Sequence, residues 1–117
     1  MITNIEKHKY ALKWYGNDAQ MLMLVEEMAE LTKEIMKTFR KGITPEVVQK
    51  LREEMADVQN CLIPLMIITE TAPTDIEAIM QEKMLRTMER IAEDQAKNKG
   101  NVETLLQTII KKQGGKL

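Results

Sequence analysis

Large aromatic side chains are nearly absent: one Trp, two Tyr and one Phe make up 3% of 117 residues. Any core must therefore be built from Leu, Ile, Val and the ten Met. Methionine is unbranched and adaptable, so it fills gaps readily but specifies shape weakly. Helices this poor in large side chains bury little surface alone, and packing between subunits is expected beside packing within them. Cysteine is reduced to Cys61, which excludes an intrachain disulfide and suits a reducing compartment. The first eight residues are polar and lack a signal-peptide core. The longest apolar run, residues 61–68, falls far short of a membrane span. A cytoplasmic protein with no membrane partner is expected. Excess positive charge is also missing. Lys and Arg number 17 against 18 Asp and Glu, a net charge of -1. That balance argues against general binding to a nucleic-acid polymer, which needs cations to neutralise phosphates. There is no Gly-rich phosphate loop, so cradling of the P-loop kind is excluded too.

What is present is clear helical punctuation. The glycines at 16, 42, 100, 114 and 115 fall between periodic segments or in the tail. Thr3 with Glu6, Asn17 with Gln20, and Thr74 with Glu77 have capping-box spacing. Thr44 before Pro45 reads as an N-cap and first helical residue, and Asn101 is a further candidate cap. These signals predict helices over residues 4–15, 18–41, 45–71 and 75–98, with a short fifth helix over 102–112. Pro64 should kink the third helix rather than end it, because the apolar pattern continues through Leu65 and Met66. Apolar stripes follow three- and four-residue steps: Met21, Leu24, Met28, Leu31, Ile35 and Phe39, then Val48, Leu51, Met55, Val58, Leu62 and Met66. A third runs through Ile76, Met80, Met84, Met88 and Ile91. No stretch has the alternation of a strand. The expectation is one all-α domain over residues 1–117, like a four-helix bundle with a short extra C-terminal helix. Its core would span about 17–98, with the extra helix and tail over 101–117.

Residues 24–31 recur, displaced by 27 positions, as residues 51–58, with five of eight pairs identical. The repeat carries Glu26, Glu27 and Glu30 in one copy and Glu53, Glu54 and Asp57 in the other. Gly42 lies midway. If the chain folds back there, Glu30 comes level with Glu54 and Glu27 with Asp57, about 18 Å from the turn. Within each helix the i, i+3 spacing puts both carboxylates on one face, whereas Glu26 and Glu53 point away and should be solvated. A single Glu-Glu doublet on an amphipathic helix is usually solvated surface; two copies symmetric about a turn argue for more. Four carboxylates held together must take up protons or share a cation. Oxygen-only donors favour Mg²⁺, with Mn²⁺ as a substitute. A di-iron bundle would need Glu-x-x-His motifs, and the lone His8 offers none.

The pattern Glu-Glu-x-x-Glu, a spacer, then Glu-x-x-Asp resembles the signature of the MazG-like superfamily of all-α nucleoside triphosphate pyrophosphohydrolases. It covers residues 17–92 and is closest to the short single-domain members of bacteria and phages. The Lys83, Arg86 and Arg90 spacing matches a basic pattern often found on that family's fourth helix. The resemblance implies Mg²⁺-dependent cleavage between the α and β phosphates, with Glu27, Glu30, Glu54 and Asp57 as metal ligands. It also implies a homodimer or homotetramer. Glu30 or Asp57 would orient or deprotonate the attacking water. Lys83 and Arg86 would hold phosphates, with Lys37 as a weaker contact. Tyr10, Trp14, Tyr15 and Phe39 are the few residues able to stack on a base. Two other readings stay open: a dUTPase-like or phosphoribosyl-ATP pyrophosphohydrolase-like relative, or a helical oligomer that serves only as an interaction module.

Overall fold

The computed structural model describes residues 4–112, and the side chains of all of these except 101 and 102. Four helices and no strand occur among the described residues: α1 (Asn4–Tyr15), α2 (Asn17–Lys41), α3 (Pro45–Ile68) and α4 (Pro73–Lys112). The all-α expectation holds. The chain divides into two compact units, one up to Ala72 and one from Pro73 onward.

The first unit contains α1, α2 and α3, with α2 against α3 as its main packing contact. Their reversal is made by residues 42–44. Gly42 caps α2 with φ +77° and donates its N–H to the Thr38 carbonyl at 2.9 Å. That backbone conformation is open to glycine at little steric cost. Thr44 then caps α3 as expected: its Oγ1 accepts from the Val47 N–H at 3.2 Å, and Pro45 takes the first helical position.

Other boundaries correct the sequence reading. Gly16, not Asn17, stands at the N-cap of α2, and no side chain caps that end. The helix α3 runs through the buried Pro64 and ends at Ile68, not 71. Its end is closed by backbone bonds: Glu70 N–H to Ile67 O at 3.2 Å and Thr71 N–H to Met66 O at 2.8 Å. Glu70 sits between them at φ +53°, a left-handed position usually given to glycine. Pro73 then starts α4, because its fixed φ suits a first helical residue. Thr74 therefore lies inside the helix and is not its cap. The Thr3 cap and the glycine tail lie outside the described residues.

The second unit carries the largest correction. The expected fourth and fifth helices are one continuous helix of 40 residues. Gly100 and Asn101 carry the signals of a helix break, yet α4 passes through both. Glycine in a helix interior costs about 1 kcal/mol relative to Ala, which weakens a helix without ending it. The four-helix bundle is not supported either, since the unit with helix-on-helix packing contains three helices.

That three-helix unit has a small core. Leu12, Leu24 and Val47 are its buried hydrophobic residues. Met28, Ile35 and Met55, expected on core-facing stripes, remain 43–44% exposed, and Phe39 is 79% exposed. Three helices lined with Met and Leu leave part of each stripe uncovered. No helix among the described residues is long and apolar enough to cross a membrane.

Candidate metal centre

The facing surfaces of α2 and α3 bring together carboxylates that are 27 or 30 residues apart in sequence. Glu27, Glu54 and Asp57 each offer one oxygen, and the three atoms lie within 4.8 Å of one another. Glu27 and Glu54 are half-buried and Asp57 is exposed. The reason lies in the turn: it sets α2 and α3 antiparallel, and i, i+3 spacing on α3 points Glu54 and Asp57 the same way. Burial pushes the Glu27 carboxyl above the ordinary glutamate value. The charges of Asp57, Glu54, Glu30 and Glu26 add to the effect, in that order. The precedence of Asp57 fits the level pairing expected for Glu27.

Glu30 stands apart. It is exposed, one turn along α2 from Glu27, and is not among the three gathered oxygens. Its charge is felt at Glu27 but less than those of Asp57 and Glu54. Glu26 and Glu53 are exposed, as helical geometry requires, and Glu53 lies 3.5 Å from Lys50. Cys61, one turn beyond Asp57, is partly buried. Burial and then the charges of Glu27 and Asp57 raise its thiol pKa.

A second charged group was not foreseen. Glu34 is only 6% exposed and accepts a hydrogen bond from Lys37 Nζ at 2.7 Å. That bond lowers the Glu34 pKa against the opposing effect of burial, with help from the charges of Lys37, Lys50 and Lys33. The signal was in the sequence: Glu34 follows Glu27 by seven residues, so the two share a face of α2. Glu34 and Lys37 line a cleft of about 260 Å³ with Lys41, Thr44, Glu46, Val47 and Lys50, at the turn end of the two helices. Lys37 is thus bound to Glu34, ten residues and nearly three turns along α2 from Glu27.

Lys83, Arg86 and Arg90 are exposed on α4, in the second unit, and Arg86 pairs with Glu82 at 2.9 Å. Of the stacking candidates, Tyr10, Trp14 and Tyr15 are 64–75% exposed and line a shallow concavity of about 410 Å³ along α1 with Lys7 and Ala11.

Chemically, three oxygen donors from two helices suit a hard cation that tolerates mixed protein and water ligands. The raised pKa of Glu27 fits this, because a cation would relieve the repulsion that burial intensifies. No protein-family model, curated protein or solved structure matches the chain.

Proposed function

We propose that Glu27, Glu54 and Asp57 hold Mg²⁺, with Mn²⁺ as a substitute. The protein would then be a pyrophosphohydrolase that converts a nucleoside triphosphate and water to a monophosphate and pyrophosphate. One observation carries the reading: three carboxylate oxygens from two helices within 4.8 Å, in a sequence pattern that resembles the MazG-like superfamily. A cation bound there would offset phosphate charge and polarise the attacked phosphorus. The chain's own residues do the rest. Asp57, exposed at the edge of the group, and Glu30, one turn from Glu27, are the carboxylates able to orient water and take its proton. By the resemblance, Lys83 and Arg86 contact phosphate and the protein works as a homodimer or homotetramer in the cytoplasm. Lys37 is the weaker phosphate contact, because leaving Glu34 would strand a buried charge.

Purified protein incubated with Mg²⁺ and a panel of nucleoside triphosphates tests this. The expected products are a monophosphate and pyrophosphate. Glu54→Gln and Asp57→Asn should lower turnover by about 10²-fold or more, while Glu26→Gln and Glu53→Gln change it little. Orthophosphate as the sole phosphate product would overturn the reading in favour of a phosphatase-type cut, and no product from any nucleotide would leave the interaction module in its place.

A further inference from the structure

From Met84 onward, α4 carries a pattern the carboxylate chemistry does not use. Met84, Met88, Ile91, Leu105 and Ile109 lie on one line of alternating four- and three-residue steps, whose other places are filled by Gln95, Asn98 and Val102. Met84, Met88 and Leu105 are 56–60% exposed, and Ile91 and Ile109 are 43% and 42% exposed. A 3.5-residue repeat is the seam of a coiled coil, and it runs for more than three heptads, about 38 Å of helix.

The flanking charges select the occupant. In heptad positions, Met84, Ile91, Asn98 and Leu105 are d residues, and Met88, Gln95 and Ile109 are a residues. Asp94 then occupies g and Lys99 occupies e. In a parallel pair, a g residue meets the e residue five positions on in the other strand. Asp94 of each copy therefore meets Lys99 of the other, twice by symmetry. In an antiparallel pair, e meets e and g meets g. Lys99 would then face Leu85, Ala92, Leu106 or itself, and Asp94 would find no cation at any register.

We propose that a second copy of this chain packs along this seam, parallel and in register, as a two-stranded coiled coil of α4 over residues 84–109. Gln95 and Asn98 reduce apolar burial but fix the alignment, since in register each amide faces its twin across the seam. This assembly rests on the α4 pattern alone and stands or falls independently of the catalytic reading.

The test uses the full chain. Sedimentation equilibrium at micromolar concentration should give twice the 13.5 kDa chain mass. Asp94→Lys should weaken dimerisation roughly tenfold, and adding Lys99→Asp should restore it. With Cys61→Ser removing the native thiol, Ile109→Cys and Met84→Cys should each form a self-disulfide under mild oxidation. A monomer, or a charge swap without rescue, would overturn the proposal. So would a dimer in which neither cysteine links to its own twin but mixed Met84→Cys and Ile109→Cys chains link to each other, the mark of an antiparallel pair.

Discussion

Lys37 Nζ lies 2.7 Å from Glu34 Oε1, one helical turn away, and this contact keeps a buried carboxylate ionised. The Arg86–Glu82 pair on α4 offers a contrast, since both of its side chains are more than 60% exposed. Exposed pairs of that kind contribute little. Lys37→Met should therefore lower the thermal midpoint at pH 7 clearly more than Arg86→Met does. The direction with pH follows from the lowered Glu34 pKa. The pair's contribution is full above the usual glutamate value and is lost as pH falls through the folded-state value below it. The gap between wild type and Lys37→Met should thus narrow toward pH 3. An equal effect of the two substitutions in thermal unfolding would contradict this account.

Glu27 has the opposite pH signature. Its folded-state pKa is raised by burial and by Asp57 and Glu54, so the folded protein holds the proton more tightly than the unfolded chain. Without a cation, that contribution is full below the usual glutamate value and is lost as pH rises through the raised value. Metal binding needs the carboxylate ionised. The rise in melting temperature caused by millimolar Mg²⁺ should therefore grow over the same pH interval. Scans at stepped pH with and without Mg²⁺ should show both trends, and Glu27→Gln should flatten them.

Glu30 and Asp57 should separate cation binding from water activation. Asp57→Asn should lose both turnover and the Mg²⁺-dependent thermal shift. Glu30→Gln should lower turnover by about 10²-fold while keeping that shift, since Glu30 is not one of the three gathered carboxylates. Paired measurements of rate and melting temperature decide it. If Glu30→Gln also abolished the shift, Glu30 would be a ligand on the same footing as the other three.

Gly100 lies within the continuous α4 despite being a residue that weakens helices, and a substitution there is informative. The position is helical, lacks a positive φ, and a Cβ there would meet nothing within 4 Å. Gly100→Ala should raise helicity and stabilise α4 by about 0.5–1 kcal/mol. Circular dichroism and thermal unfolding report both. A loss of helicity would instead mark Gly100 as a helix terminus.

Much of the fold was legible because its signals are local. Thr44 and Pro45 specify a cap and a first turn through neighbouring atoms, and α1 and the end of α2 fall where periodicity puts them. Pro73 outweighed Thr74, and backbone bonding around Glu70 ended α3 early, because boundary signals compete within three or four residues. The facing of Glu27 and Asp57 was also legible, since a repeat centred on Gly42 fixes both height and azimuth. The separation of Glu30 from the group was not. Spacing gives the height and angle of a side chain on its own helix, but not how closely the packed helices bring its oxygen to the others. Glu34 illustrates a related limit: its place in the seven-residue step was visible, but its burial depends on what α3 presents opposite it.

The symmetric reversal at Gly42 has a consequence for changes in chain length. Glu27 and Asp57 lie fifteen residues on either side of it, so their meeting depends on equal helical arms. One residue inserted within α2 after Glu27 would turn that carboxylate by about 100° and slide it by about 1.5 Å relative to α3, dismantling the group. Matched seven-residue insertions, one in each arm, would nearly preserve the angle and move the whole group away from the turn. Residues 42–44, which belong to neither helix, are where a short insertion could loop out harmlessly. Length variation in such a protein should therefore gather at the hairpin tip and beyond Ile68, and the arms between should keep a constant count.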